Sequence, residues 1–202
     1  MFTPLRYQAT EADCFPTSVL NALVWLFERS ELPGAVLRHV YAHSLDGIER
    51  NVTGAYTSEH AGKAVADWLV EFRTRSFAVD VEILTGRELH LRGSSALLRW
   101  LHHGGVAVAD VCDTPSAMHS ILALNAGAGH LDFWDPYIRG RRYDYGRGAS
   151  RLASDGHAPN LRLSKSALDG TRERRYCFGP FATRSSVLIR RIRRGRRARA
   201  TL

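Results

Sequence analysis

Gln8, Cys14, His119 and Asp135 are side chains of the types that acyl transfer through a thioester requires. A cysteine nucleophile needs a thiol biased toward thiolate, a nearby base, a group that orients the base, and N–H donors for the oxyanion. In "YQATEADCFPTSVLNAL" Cys14 stands just ahead of an apolar run rather than inside it. If that run is a helix, Cys14 occupies its N-terminus, where the dipole and unpaired N–H groups favour thiolate, and Pro16 falls in the first turn, where its missing N–H costs nothing. Gln8, six residues earlier, can return to the same helix end and offer its side-chain NH2 beside the Cys14 backbone N–H.

The base must come from elsewhere. Of nine histidines, His119 is best placed, because it opens the strand-like run "HSILALNA", with Ile121 and Ala123 continuing the same face inward. The next run, "LDFWDPY", brings Asp135, and a turn at Gly127–Gly129 folds the two runs back on each other so that its carboxylate can approach His119. A carboxylate on one imidazole nitrogen fixes the tautomer and turns the other nitrogen toward the thiol. Asp132 is the competing carboxylate, but strand alternation sends it to the opposite face. His102 and His103 end a short helix and suit a helix C-terminus better than a metal, and no metal-ligand spacing joins Cys112, Asp113 and His119. No metal or organic cofactor is implied.

The elements that must position these residues follow from periodicity. Val19, Leu20, Leu23, Val24 and Phe27 have helical spacing, with Pro33-Gly34 as the stop, and "SEHAGKAVADWLVEFRT" predicts a second amphipathic helix capped by Ser58. "FAVDVEIL" alternates as a strand, and "GSSALLRWLHHGG" is a short helix ended by glycines. "VAVADV", "HSILALNA" and "LDFWDPY" are antiparallel strands, and "SSVLIRRI" is a last one. From about 137 to 175 the composition is rich in Arg, Gly, Ser and Asp, which predicts an irregular excursion. Helices first and strands later argue for an α+β domain over residues 1–189.

Together, "YQATEADCFPTSVLNAL" and "HSILALNAGAGHLDFWDPY" resemble the C39-like branch of the papain-like cysteine peptidases, in which a Gln, a Cys at a helix start, a His at a strand start and an Asp before Pro form the site. The resemblance covers about the first two-thirds of the chain. It implies a papain-like fold, with the N-terminal helix carrying the Cys packed on an antiparallel sheet carrying the His and Asp. It makes Cys14 the nucleophile, His119 the base, Asp135 its orienter and Gln8 the oxyanion donor. Members commonly have glycine after the cysteine; this chain has Phe15, expected to line the substrate cleft. Trp134 is the second cleft candidate, with packing as its favoured role. The implied activity is cleavage of a peptide or amide bond. An acyltransferase would use the same thioester, and a catalytically silent protein binding a peptide in its groove is the reading from a different class.

Composition bounds the rest. The net charge is +8, but seven arginines lie in "RRIRRGRRARATL" from Arg190 on; removing them from the 28 Lys and Arg residues leaves 21 against 20 acidic residues. The basic signal therefore belongs to residues 190–202, expected as a disordered tail whose arginines, Arg190 to Arg199, could meet an anionic partner. The three cysteines, Cys14, Cys112 and Cys177, are too few and too far apart in sequence for a disulfide framework, so reduced thiols are expected. No apolar run is long enough to cross a bilayer and the first residues lack a secretory apolar segment, which predicts a cytoplasmic protein.

Overall fold

A computed structural model describes residues 3–48, 55–114, 117–140 and 143–192. Helix α1 (Cys14–Leu26) is the central helix, and every residue from Phe15 to Leu23 is buried. Its three buried polar residues in this stretch are paired, Thr17 with the Asp13 carboxylate at 3.4 Å. Asn21 accepts from the Arg6 N–H at 2.8 Å and donates to the Arg6 carbonyl at 2.9 Å, stapling the N-terminal segment along the helix, and Ser18 Oγ donates to the Ser120 carbonyl at 3.0 Å. The helix ends when Phe27 turns extended. Pro33-Gly34, expected to stop α1, instead starts α2 (Gly34–His43), with Pro33 as its extended N-cap residue. After the short pair β1 (Gly47–Ile48) and β2 (Ala55–Tyr56) comes α3 (Glu59–Glu71), whose Ser58 cap accepts from the Ala61 N–H as expected.

The remaining elements are β3 (Val79–Thr85), α4 (Ala96–His102), β4 (Val106–Thr114), β5 (Ala117–Ala126), β6 (His130–Trp134), β7 (Ala149–Arg151), β8 (Leu161–Ser164), α5 (Lys165–Leu168) and β9 (Ser185–Arg191). Seven strands form one antiparallel sheet in the order β3-β9-β4-β5-β6-β8-β7, so the molecule is α+β. Both sheet faces are covered. Val106, Val108, Leu122, Leu124 and Ile189 pack with α1, α2 and α3, whereas Ala107, Ala109, Ile121, Ala123 and Phe133 pack under α4 and α5. Burial on both faces explains why β4 reads as a continuous apolar run rather than an alternating one.

Two expectations are corrected. The stretch from 137 to 175 is not simply irregular: it contributes β7, β8 and α5, and β8 pairs with β6 through Phe133↔Leu161. The basic tail does not begin at Arg190. Arg190 and Arg191 close β9, where Arg190 pairs with Asp80 at 2.6 Å and Arg191 pairs with Glu31 at 2.7 Å. Their guanidiniums also lie over Trp100 and Phe27. An anionic partner could therefore be assigned only to the later arginines, which lie outside the described residues. No helix among the described residues is long and apolar enough to cross a membrane.

Candidate active site

The pairing of β5 with β6 stops at Leu122↔Trp134, so the first residues of β5 project past the end of β6. The N-terminus of α1 docks beside that projecting stretch. Its first turn takes up the backbone groups of Ser120: Ser18 binds the carbonyl, and the Ser120 N–H donates to Cys14 Sγ at 3.5 Å. This docking brings a half-buried thiol alongside His119, the third residue of β5, which is 6% exposed. The Cys14 thiol lies near enough to the His119 imidazole to favour its charged form.

On its other side His119 Nε2 donates to Asp135 Oδ1 at 2.6 Å, leaving Nδ1 as the ring nitrogen for the thiol. Burial works against charge on the imidazole, but the bond to Asp135 and the nearby Cys14 thiol outweigh it and push the His119 pKa up to about 10. Burial likewise opposes ionisation of Asp135, yet the bond and charge of His119, helped by Arg139 and Tyr176, hold its pKa at about 2. Asp132 faces away, as alternation requires, and pairs with Arg162 at 2.7 Å.

Asp135 is held from every side. Oδ1 also accepts from the Tyr137 N–H at 2.9 Å, and Oδ2 accepts from Tyr176 Oη at 2.5 Å and Arg139 Nε at 3.2 Å. Asn160, just before β8, clamps the Asp135 main chain, accepting from its N–H at 2.7 Å and donating to its carbonyl at 2.8 Å. Arg139, 7% exposed at its side chain, reaches Asp113 at 3.2 Å and lies over the rings of Tyr137 and Tyr143 at 4.5 Å. Tyr137, Arg139, Asn160 and Tyr176 were not singled out from sequence. Only the Asp-Pro-Tyr step hinted at Tyr137, and Tyr176 reaches the carboxylate from a left-handed backbone (φ 57°) that no local pattern announced.

The loop before α1 is organised by Asp13. Although it is the N-cap residue, its carboxylate does not cap the helix; it accepts from the N–H groups of Ala9 (3.0 Å) and Thr10 (2.7 Å) and from the Thr10 hydroxyl. The first N–H groups of α1 therefore keep no side-chain cap. Gln8 is anchored in this loop by its own N–H on the Pro136 carbonyl at 2.9 Å. One N–H of its amide donates to the Thr10 carbonyl at 2.8 Å. Its Oε1 is buried without a partner.

Phe15 does not lie where it was expected, whereas Trp134 takes the packing role favoured for it. Phe15 is 8% exposed and packs in the core against Gly62 of α3, because consecutive helical residues point about 100° apart and the neighbour of a half-exposed thiol turns inward. Trp134 is 1% exposed, stacks near Tyr7 and donates through Nε1 to the Arg6 carbonyl at 3.0 Å. The cavity that borders Asp135, about 460 Å3, is lined instead by Tyr7, Tyr137, Tyr145, Arg139 and Arg151, among others. Tyr137 stands edge-on to His119 and donates to Glu11 at 3.1 Å, bridging the cavity and the Cys14 loop. No protein-family model matches the chain, and no curated protein matches it.

Proposed function

We propose that the chain is a papain-like cysteine peptidase or amidase that cleaves a peptide or amide bond through a Cys14 thioester. The observation that carries this reading is the buried His119–Asp135 pair, with 2.6 Å between Nε2 and Oδ1, and the Cys14 thiol docked on the N–H of Ser120, the residue after His119. A raised His119 pKa keeps the imidazole protonated at neutral pH, the state that pairs with a thiolate and can supply a proton.

In the reaction Cys14 Sγ attacks the carbonyl carbon, and the developing oxyanion is met by the Cys14 backbone N–H and the second N–H of the Gln8 amide. His119 gives its proton to the departing amine as the C–N bond breaks, leaving an acyl-thioester. Water then attacks the thioester while His119 accepts its proton. The C–S bond breaks, the acid leaves, and thiolate and imidazolium are restored. Asp135 keeps the ring oriented and stabilises its charge throughout. An amine in place of water would make the same thioester serve acyl transfer.

Brief iodoacetamide treatment of the folded protein at neutral pH, followed by peptide mapping, tests the reading. Cys14 is expected to alkylate far faster than Cys112 or Cys177, and His119→Ala to slow hydrolysis of a peptide substrate by about 10²–10⁴-fold. Equal labelling of all three cysteines would reject an activated thiol and favour a silent peptide-binding groove.

A further inference from the structure

Cys112 and Cys177 are far apart in sequence, yet the fold places them side by side. The Cys112 N–H donates to the Cys177 carbonyl at 2.8 Å, and the Cys112 carbonyl accepts from the Tyr176 N–H at 2.8 Å. Two residues thus oppose one, with Tyr176 left-handed at φ 57°, which is a β-bulge against β4. Opposed residues in such a pair have Cα atoms about 5.5 Å apart, within the range a disulfide spans.

Both sulfurs belong to buried residues, each 2% exposed, but their surroundings differ. Cys112 is packed against Gly179, where a Cβ would come within 2.8 Å of its Sγ, and burial pushes its thiol pKa up to about 12, with Cys177 and Glu173 adding to the effect. Cys177 Sγ accepts from the Arg174 N–H at 3.2 Å, donates to the Arg172 carbonyl at 2.8 Å, and borders a cavity of about 620 Å3. Arg147, Arg172, Arg174 and Arg175 line that cavity; Glu173 is the acid on the same segment.

We propose that Cys112 and Cys177 form a redox-modification site whose arginine-lined cavity admits an anionic low-molecular-weight disulfide. The Cys177 thiolate attacks one sulfur of the reagent, giving a mixed disulfide and expelling one thiolate. The Cys112 thiolate then attacks Cys177 Sγ, forming the Cys112–Cys177 bond and expelling the second. Two protein thiols are oxidised, one external disulfide is reduced, and two protons are released. The second step is intramolecular, which offsets the weak acidity of Cys112. The bridge fastens to β4 the segment whose Tyr176 hydroxyl holds Asp135. This assignment does not depend on peptide cleavage by Cys14.

The test incubates the folded, reduced full chain with glutathione disulfide, blocks remaining thiols with N-ethylmaleimide under denaturing conditions, and maps peptides by mass spectrometry. A linked Cys112–Cys177 peptide is expected, formed about tenfold or more faster than with the cationic disulfide cystamine, because like charge in the cavity repels the latter. Raising salt should shrink that ratio. In Cys112→Ser the reaction should stop at glutathionylated Cys177. Modification confined to Cys14 would overturn the site, and equal rates with the two reagents would overturn its anion-binding character. The wild-type map decides the first point even if the variant does not fold, and it reads no activity.

Discussion

On one flank of His119, the Asp135 carboxylate accepts from four donors and its main chain is clamped by Asn160. On the other flank, Cys14 heads a helix whose N-cap side chain has turned away from its first N–H groups, and Gln8 spends one of its two amide N–H groups on the Thr10 carbonyl. One flank is saturated with hydrogen bonds and the other is left short of them. A group that must hold an imidazole steady gains from over-determination, whereas a group that must receive a new oxyanion needs donors not already engaged. The saturated flank is therefore expected to govern stability, and the unsaturated flank to govern rate.

The strongest way to break this contrast is Asp135→Ala. Removal of the carboxylate leaves the buried Arg139 guanidinium with Asp113 as its remaining carboxylate and takes the acceptor from the Tyr176 hydroxyl, and is expected to cost about 3–5 kcal/mol in unfolding free energy, read from the denaturant midpoint. Gln8→Ala should do the reverse: turnover of a peptide substrate falls by about 10²–10³-fold, while unfolding free energy moves by less than about 0.5 kcal/mol. If Gln8→Ala unfolded as readily as Asp135→Ala with turnover intact, the division of labour between the flanks would be wrong. Tyr176→Phe removes one of the four donors to Asp135 and is expected to cost about 1.5–3 kcal/mol, measured in the same unfolding series.

The smallest and most diagnostic effect is on pH dependence. The His119 pKa is raised to about 10 from an ordinary 6.5, so its contribution is whole below 6.5 and drains away as pH rises through 10. The Asp135 pKa is lowered to about 2 from 3.8, so its contribution is whole above 3.8 and is lost as pH falls through 2. Unfolding free energy attributable to the pair is expected to be level between those ordinary values and to decline on both sides. Denaturant midpoints across the pH range, for the wild type against His119→Ala, would expose a pair with no such plateau.

The flanks also differed in how far sequence disclosed them. His119 and Asp135 could be found because chemical type and strand alternation agree: alternation excluded Asp132, which indeed pairs with Arg162. Helix periodicity and cap chemistry located α1, α3 and the strands near the site. What escaped depends on distant partners. Leu161–Ser164 is too short a run to stand out, and its Arg162 makes sense only opposite Asp132. Arg190 and Arg191 read locally as tail, yet their counter-charges, Asp80 and Glu31, lie more than a hundred residues away in the chain. Phe15 looked like a cleft residue by adjacency to Cys14, and the helical turn sent it to the core. Pro33 looked like a stop and is a start, because the same backbone that ends one helix can cap the next.

The docking of α1 against Ser120 has a temporal side. The residues that meet there, Cys14 and Ser18 with Ser120, are separated by 106 and 102 positions, so the thiol comes beside His119 only after most of the sheet has been made and has assembled. A nascent chain on the ribosome carries the cysteine long before it carries the histidine, and during that interval the sulfur is chemically an ordinary one. On the proposed mechanism, activation and completion of the fold are then the same event. Hydrogen exchange at the Ser120 amide, pulsed during refolding, would time both at once.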